Sequence, residues 1–503
     1  MSDFAETIAQ GYAVEGAAID LGRGIHDGKL EPAAIVRLPL ATANRHGLIA
    51  GATGTGKTRT LQLMAEQLSA AGVSVLAADY KGDLSGLAQP GAADGPAPKR
   101  MAELGLPYEP ASFPVEFLSL GGIGPGIPVR ATVTDFGPQL LAKVLGANET
   151  QEQSLALVFR FADEKGLALL DLADLRALLA FLESDAGKAE LAGIGGVSKA
   201  TVGVLLRSLV QLEDGGGTEF FGEPQLEIAD LLRTAPDGRG NVSCLELAAV
   251  QDRPALFSTV LMWLLAELFE QLPEVGDLQK PKLVFFFDEA HLLFADATKA
   301  FLESVARTVR MIRSKGVGVF FVTQSPTDLP SEVLGQLGAR VQHALRAFTP
   351  EDAEALRKTV KTYPRSEFYD LEKLLTEVGI GEAAVTILSE RGVPTPVVHT
   401  RIVAPRSSMT AWAGVEDAAK ASPLYAKYGT RLDRESAQEQ LAARVEHAAA
   451  AEDDKPPLVR KPKRARTQPK AGDPLTDFLC SRQGQTLERE VVRGVFGMLR
   501  KRL

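Results

Sequence analysis

The stretch Gly51-Ala-Thr-Gly-Thr-Gly-Lys57-Thr58 decides the fold, because it matches the pattern G-x-x-x-x-G-K-[S/T] in full. It follows a short apolar strand pattern, Gly47–Ala50, and it precedes a helical pattern of apolar residues that begins at Leu61. Backbone N–H groups in such a turn form a nest for phosphate oxygens, and the positive end of the following helix strengthens the attraction. We expect Lys57 to reach the β- and γ-phosphates of a nucleotide and Thr58 to offer its hydroxyl to Mg²⁺. The candidate phosphate-binding residues are Gly51, Ala52, Thr53, Gly54, Thr55, Gly56, Lys57 and Thr58. The alternative is a plain glycine-rich turn.

Short aliphatic runs alternate with long helical patterns from His46 onward, which is typical of βαβ units and a mostly parallel sheet. The predicted strands are 47–50, 73–79, 242–247, 283–288, 317–323, 341–348 and 383–388. Between 137 and 234 the strand patterns nearly vanish, and apolar residues recur three and four positions apart. The sequence therefore predicts an α/β fold with a helical insertion.

The chain divides into five predicted segments. They are an N-terminal cap or small β element at 1–40, a core at 41–405 that contains the insertion 137–234, a helical extension at 406–452, a basic proline-rich linker at 453–474, and an amphipathic helix at 475–503. Proline and charge in the linker oppose a packed core. One apolar row on the final helix predicts that it docks onto a partner.

The composition limits the class of protein. With 45% hydrophobic and 24% charged residues, the chain is neither disordered nor fibrous. No apolar run approaches the roughly 18 residues of a membrane span, and no export signal is visible, so we expect a cytoplasmic protein without a membrane span. Cys244 and Cys480 lie too far apart in the sequence to indicate a disulfide framework or a metal site. The net charge of −9 argues against a surface coated in nucleic acid but allows a local basic groove.

Two acids, Asp288 and Glu289, end the buried-strand pattern 283–288. Ligands gather at the carboxyl ends of strands in open α/β sheets, so both acids should lie at the nucleotide edge. Asp288 suits coordination of Mg²⁺ through a bound water, and Glu289 suits orienting or deprotonating an attacking water. Hydrolysis needs such a base, whereas phosphoryl transfer to a bound metabolite does not, so the pair favours an ATPase over a metabolite kinase. Taken alone, an acidic pair after a strand is often a helix N-cap.

Two further strand ends carry polar residues. Gln324 follows the strand 317–323, where its amide can hydrogen-bond the γ-phosphate or the attacking water. The alternative is a polar turn. The stretch Asp79-Tyr-Lys81-Gly-Asp83 follows the strand 73–79, and it either touches the site or solvates a turn.

The helical pattern 300–315 carries Arg307, Arg310 and Arg313 at threefold spacing. An arginine near the end of such a helix can cross a subunit boundary and meet a neighbour's γ-phosphate. The alternative is a solvated helix face held by ion pairs. The six histidines are scattered through the sequence and predict no metal cluster.

Six stretches together resemble the bacterial HerA-like ATPases of the HerA/FtsK superfamily, and the resemblance covers almost the whole chain. They are 44–58, 79–86 (Asp-Tyr-Lys-Gly-Asp-Leu-Ser-Gly), 148–151 (Asn-Glu-Thr-Gln), 288–291 (Asp-Glu-Ala-His), 323–326 (Thr-Gln-Ser-Pro) and 489–494 (Arg-Glu-Val-Val-Arg-Gly). The resemblance implies a RecA-type P-loop NTPase core, a homo-hexameric ring with ATP at the subunit interfaces, and DNA translocase or helicase activity. The 40 N-terminal residues are short for the β-barrel that caps HerA rings.

The resemblance also implies roles for single residues. Lys57 and Thr58 match the phosphate loop. Asp288 and Glu289 match the Walker B pair, and Gln324 matches the polar sensor. The trans-acting arginine corresponds to Arg310 or Arg313, and the spacing does not select between them.

We therefore predict an oligomeric ATPase, with ATP and Mg²⁺ as its cofactors, whose hydrolysis drives movement on DNA. DNA would be contacted in the ring channel and by the basic linker, where seven cations and no acid stand between Lys455 and Lys470. The linker's alternative role is a solubilising spacer. The alternative function is an ATP-dependent assembly or regulatory protein that binds a protein partner through 487–503 and does not translocate DNA.

Overall fold

The strands in the described part of the chain form one twelve-stranded sheet. The structure, a computed structural model, describes residues 2–191, 195–276, 278–294 and 299–444. The predicted linker at 453–474 and the predicted helix at 475–503 lie outside these residues, as does the end of the predicted extension 406–452.

The strands follow in chain order. They are β1 (Ala18–His26), β2 (Lys29–Pro39), β3 (Gly47–Ala50), β4 (Ser74–Asp79), β5 (Val115–Leu120), β6 (Ile127–Val129), β7 (Val242–Glu246), β8 (Leu283–Phe287), β9 (Val317–Thr323), β10 (Ala339–Gln342), β11 (Glu382–Thr386) and β12 (Val398–Ile402). Their order across the sheet is β2-β1-β12-β11-β10-β3-β9-β8-β4-β7-β5-β6.

The eight strands from β10 to β6 pair in parallel. On the other side of β10 the strands β11, β12, β1 and β2 pair antiparallel. The α/β prediction with a mostly parallel sheet is confirmed. β1 and β2, which belong to the N-terminal segment 1–40, extend this same sheet through β12.

The predicted strand 341–348 is wrong beyond Gln342, where β10 ends. The backbone N–H of His343 still donates to Ala50 at 2.7 Å, but the N–H of Leu345 donates to the carbonyl of Leu375 at 2.8 Å. Leu345 packs with a small separate apolar cluster that includes Leu375. Leu345 is therefore apolar because it packs in this cluster, and not because it belongs to a strand.

The helices connect the strands. They are α1 (Asp3–Gly11), α2 (Lys57–Ala70), α3 (Pro96–Glu103), α4 (Val133–Val144), α5 (Glu149–Lys165), α6 (Leu172–Glu183), α7 (Asp185–Leu191), α8 (Lys199–Leu212), α9 (Thr218–Phe220), α10 (Ile228–Leu231), α11 (Pro254–Gln271), α12 (His291–Phe294), α13 (Lys299–Ile312), α14 (Ser331–Leu334), α15 (Pro350–Val360), α16 (Leu371–Glu377), α17 (Val415–Ala421) and α18 (Pro423–Tyr428). Of the helices in the described part of the chain, none combines the length and the apolar composition of a membrane span.

The described residues between β6 and β7 carry the helices α4 to α10. Capping boxes start two of them. Asn148 and Gln151 exchange side-chain-to-backbone hydrogen bonds at the start of α5, and Asp171 and Asp174 do so at the start of α6. Each cap satisfies backbone N–H groups that a helix start leaves without a partner. The sequence therefore sets these helix starts locally.

The centre of the sheet is apolar on both faces. All residues of β8 and β9 are buried, and the rings of Phe286 and Phe320 lie with their centroids 5.3 Å apart. A parallel strand covered on both sides needs apolar side chains on both faces, so its sequence is a continuous apolar run. Burial of one such side chain stabilises the fold by about 1.5–3 kcal/mol. This core fixes β3, β9, β8 and β4 side by side.

Candidate functional site

The glycine-rich loop leaves the carboxyl end of β3 and leads into α2. Gly51, Gly54 and Gly56 have φ angles of +152°, +80° and +122°, which only glycine adopts without strain. The N–H of Gly51 donates to the carbonyl of Thr323 on β9 at 3.2 Å, and the N–H of Ala52 donates to that of Ala344 at 2.8 Å. The start of the loop is thus anchored on β9 and on the segment that follows β10, which are the two neighbours of β3.

The remaining loop residues divide into exposed and buried ones. Thr53 and Gly54 are exposed at the tip, whereas Thr55 is buried. The Thr55 hydroxyl donates to Ala52 O at 2.7 Å, and the Thr55 carbonyl accepts from Gly381 N at 2.9 Å. The tip therefore faces outward, and Gly381, the residue before β11, supports its base.

Lys57 and Thr58 begin α2, four residues before the apolar pattern that indicated this helix. Lys57 is buried, and its Nζ donates to the carbonyls of Gly51 at 2.6 Å and Ala52 at 3.3 Å. Burial lowers the pKa of Lys57, and the charge of Glu289 opposes that shift. Thr58 is half-buried in the first turn. The ammonium therefore lies inside the curve of the loop, where phosphate oxygens would sit.

His343 supports the phosphate loop, a role that the sequence did not predict. Its Nδ1 lies 2.7 Å from Glu382 O and its Nε2 lies 2.9 Å from Thr60 Oγ1. Burial, with the nearby charge of Lys57, lowers the pKa of His343 to about 4. The ring is therefore neutral, with Nδ1–H donating to the carbonyl and Nε2 accepting from the hydroxyl. A Cβ on Gly51 would lie 2.5 Å from that of His343, so the loop and this histidine fit only with glycine at 51.

Asp288 and Glu289 follow β8 directly, and both are buried. Glu289 has φ +48°. Non-glycine residues rarely adopt this conformation, and those that do are often found at functional sites. Its Oε1 forms an ion pair with Lys81 Nζ, and its Oε2 has no hydrogen-bond partner. His291 Nδ1 lies 3.3 Å from that second oxygen. The structure therefore brings Lys81, whose role the sequence left open, into contact with the predicted catalytic acid.

The acids of 79–83 also lie at this site. One carboxylate oxygen each from Asp79, Asp83 and Asp288 lie within 4.8 Å of one another. Burial, and then the charge of Glu289, raise the pKa of Asp288 to about 7, and burial raises that of Asp79 to about 6. Asp288 Oδ2 is buried without a hydrogen-bond partner. Carboxylate oxygens in such a group fit Mg²⁺, which prefers hard oxygen ligands.

Gln324 lies exposed at the carboxyl end of β9, between the loop strand β3 and the acid strand β8. The turn that carries it is held by Asp328, whose Oδ2 accepts from Thr323 Oγ1 at 2.7 Å and from Ser325 N at 2.8 Å. The structure thus brings the predicted sensor to the same edge as Lys57.

Arg310 and Arg313 do not reach this edge. Arg313 precedes β9 by four residues, and so it lies at the amino edge of the sheet. Its charge there adds to burial in lowering the pKa of His46, the residue before β3, to about 4. Arg310 lies within one turn of Arg313, and both are exposed. Neither arginine can act on the phosphate loop of its own chain.

A cavity of about 200 Å³ opens beside the loop, against Gly56 and Thr60. Its other walls are mostly apolar, from Pro96, Ala97, Ile380, Gly381, Ile402, Val403, Ala404, Pro405 and Met409, with the side chains of Arg59 and Arg100. Arg100 Nη1 is held by the carbonyl of Gly381 at 2.8 Å. No sequence pattern indicates this cavity, because its walls come from segments that are far apart in the chain.

The wall segment at 405–409 is held on α2 by Glu66. The buried carboxylate of Glu66 accepts from Arg406 N at 2.7 Å and from Ser407 N at 3.1 Å. Burial nevertheless raises the pKa of Glu66 to about 7. Gln62, one turn earlier on α2, holds the same segment through Ser407 Oγ and Ser408 O, each at 2.7 Å.

A glycine-rich loop between a parallel strand and a helix, with an acidic strand end two strands away, defines a P-loop protein of RecA-type fold. The chain belongs to the helicase HerA-like C-terminal family, whose model matches residues 26–496. The resemblance inferred from the sequence is confirmed. Comparison with curated proteins finds no match.

Solved structures support the fold. The plasmid coupling protein TrwB in complex with the ATP analogue ADPNP shares 15% identity at a TM-score of 0.51, over 81% of this chain and 95% of that chain. TrwB in complex with ADP and Mg²⁺ shares 15% identity at a TM-score of 0.50, over 81% of this chain and 94% of that chain. VirB4 of Thermoanaerobacter pseudethanolicus shares 17% identity at a TM-score of 0.50, over 77% of this chain and 97% of that chain. At these identities the likeness establishes the RecA-like fold.

Proposed function

We propose that this protein is an ATP-hydrolysing oligomeric motor of the HerA type that moves on DNA. The observation that carries the proposal is the juxtaposition, at one sheet edge, of a complete phosphate loop with Asp288 and Glu289. Family membership and the complexes of TrwB with ADPNP and with ADP and Mg²⁺ support ATP and Mg²⁺ as the cofactors.

In this proposal, residues 51–58 hold the phosphates through backbone N–H groups, and the Lys57 ammonium moves from the loop carbonyls to phosphate oxygens. The Thr58 hydroxyl and Asp288 would hold Mg²⁺. The bound ion neutralises charge that develops on the phosphates during hydrolysis.

Glu289 is the proposed general base. Lys81 occupies its Oε1, so Oε2 is the atom that can take a proton from water. The ion pair also restricts rotation of the carboxylate. We assign to Lys81 the role of a positioning residue and to Gln324 that of a donor to the γ-phosphate or the water.

The base of the nucleotide would enter the cavity beside Gly56 and Thr60, since that cavity adjoins the end of the loop. Apolar walls suit the faces of a planar base, and few polar groups are needed to orient it. The segment 405–409 would then form part of the ATP site.

The position of the arginines supports an oligomer. Arg310 and Arg313 lie away from the phosphate loop of their own chain, so a catalytic role for either one would be exerted on a neighbouring subunit. A homo-hexameric ring with ATP at the interfaces supplies that neighbour and a channel for DNA.

ATP turnover with and without DNA tests the proposal. A motor on DNA should hydrolyse ATP faster when single- or double-stranded DNA is added, and Lys57→Ala should abolish both rates. ATP hydrolysis that DNA leaves unchanged would refute translocation and favour the assembly or regulatory alternative. A folded wild-type protein without ATPase activity would refute the proposal altogether.

A further inference from the structure

A turn at 379–382 holds the base of the phosphate loop. The N–H of Gly381 donates to the carbonyl of Thr55 at 2.9 Å. The carbonyl of Glu382 accepts from Nδ1 of His343 at 2.7 Å, and that histidine also contacts the first turn of α2. Both contacts use backbone atoms of the turn. The position of the loop therefore depends on what holds the turn itself.

Three groups hold the side chain of Glu382, the first residue of β11. Its Oε2 accepts from Gly379 N at 3.0 Å and lies 2.8 Å from His399 Nε2. Its Oε1 accepts from Nη1 of Arg401 at 2.7 Å, and Arg401 is the residue opposite Glu382 on β12. The Glu382 side chain is 14% exposed. Burial opposes ionisation, but the three contacts outweigh it and lower the pKa of Glu382 to about 2. The carboxylate is therefore ionised and fixed in position.

The network continues to the wall of the apolar cavity beside the loop. Arg401 Nη2 donates to Glu103 Oε2 at 2.6 Å, at the end of α3. Arg100, one turn earlier on α3, lines the cavity, and its Nη1 donates to the carbonyl of Gly381 at 2.8 Å. A Cβ on Gly381 would lie 2.8 Å from the same Nη1 atom, so α3 packs directly on the turn. Through Arg401, Glu382 thus connects the support of the loop with the wall of the cavity.

We propose that Glu382 is a positioning residue for ATP, which aligns the phosphate loop with the cavity wall so that the phosphates and the base bind together. The inference rests on the proposed ATP site, in which residues 51–58 hold the phosphates and the cavity holds the base. Glu382 itself would not touch the nucleotide. A binding site whose two parts are fixed in advance avoids the cost of ordering them when the ligand binds. Removing the carboxylate should therefore weaken the binding of ligands that occupy both parts.

Inorganic tripolyphosphate distinguishes the two parts, because it can occupy the phosphate loop but has no base. In Glu382→Gln the backbone bonds from the turn to the loop remain, whereas the ion pair with Arg401 is lost. We expect ATP to bind roughly tenfold more weakly, about the effect of one hydrogen bond to a charged group, and tripolyphosphate to bind within about twofold of the wild type. Both affinities are measured on the full chain with Mg²⁺, by competition against fluorescently labelled ATP.

A second variant and a matched control complete the experiment. Arg401→Gln removes the same link from the other strand, so it should give the same selective loss, and the double variant should lose little more than either single one. Glu116→Gln is the control, because Glu116 is a 13% exposed glutamate that is paired with Arg233. It lies on β5, five strands away from β3 in the sheet, and its substitution should leave both affinities unchanged.

Two results would overturn the proposal. They are an ATP affinity in folded Glu382→Gln equal to that of the wild type, and equal losses of affinity for ATP and tripolyphosphate, which a purely structural role would produce. If Glu382→Gln does not fold, Arg401→Gln decides by the same criteria. A wild-type protein that binds no ATP would refute the ATP site and this inference with it. ATP hydrolysis that does not respond to DNA would refute translocation and leave the role of Glu382 intact.

Discussion

The substitution Glu289→Gln should separate ATP binding from hydrolysis. Glutamine has the same shape as the buried glutamate but cannot accept a proton from water. General-base catalysis contributes roughly 10²–10⁴-fold, so we expect turnover to fall by roughly 10²-fold or more. A 10²-fold loss corresponds to about 2.7 kcal/mol of transition-state stabilisation.

ATP binding should change little in this variant. Lys57 Nζ bonds to the carbonyls of Gly51 and Ala52 and makes no hydrogen bond to Glu289. Removing a negative charge beside the phosphates also cannot weaken their binding electrostatically. Stability should fall by about 1 kcal/mol or less, because the released Lys81 is 41% exposed and can be hydrated by water.

The assay pairs steady-state ATP turnover with equilibrium binding of labelled ATP on folded protein. Glu267→Gln is the matched control, since Glu267 is a buried glutamate on α11 that accepts a hydrogen bond from Gln271. That control should hydrolyse ATP at the wild-type rate. Normal turnover in Glu289→Gln would refute the assignment of the base and move it to Asp79 or Asp83.

Four further outcomes are expected. Lys57→Ala should lose ATP affinity and turnover together, because its ammonium is the mobile cation of the loop; an unchanged rate in the folded variant would contradict the phosphate-loop assignment. Mixing Arg313→Ala chains with Lys57→Ala chains should restore part of the ATPase activity by pairing intact half-sites, with Arg310 as the alternative; mixtures that stay inactive for both arginines argue against a trans arginine. Burial raises the pKa of Glu66 from 4.5 to about 7, so the folded state keeps a proton that the unfolded state releases, and the free energy of unfolding falls as the pH rises from 5 to 8. In urea unfolding, Glu66→Gln should remove roughly 2 kcal/mol of that fall. A variant with the same pH profile as the wild type would contradict the raised pKa. Deleting 455–470 should flatten the slope of log DNA affinity against log salt by roughly 2 to 3 units, and an unchanged slope would assign DNA contact elsewhere.

The central strands were predictable because a parallel strand buried on both faces leaves a strong local pattern. β3, β8 and β9 are continuous apolar runs, and they match the structure within one residue. β5 and β12 were missed, since both carry polar or charged residues within the strand. Prediction failed at Leu345 because an apolar residue does not specify which of two clusters it joins.

In the site, the residues that belong to sequence motifs were predictable, whereas the residues that contact them were not. Lys57 and Asp288 stand in patterns that the chemistry requires. The pairing of Lys81 with Glu289 and the support of the loop by His343 join residues 208 and 283 positions from their partners. Such contacts depend on strand order, which local periodicity does not encode.

Strand order also gives a reason for the proposed role of Gln324. The sheet places β9 between β3 and β8, so the loop, Gln324 and the acid pair follow one another across neighbouring strands. The phosphate loop and the acid pair are then separated by two strand spacings, which is about 10 Å. A γ-phosphate and an attacking water fit into that interval, and an amide at its centre can contact either one. Because Thr323, the residue before Gln324, accepts the N–H of Gly51, a displacement of the loop would be transmitted directly to this strand end. The conformational change that follows loss of the γ-phosphate would thus be transmitted to the residues after β9 without involving Asp288 and Glu289.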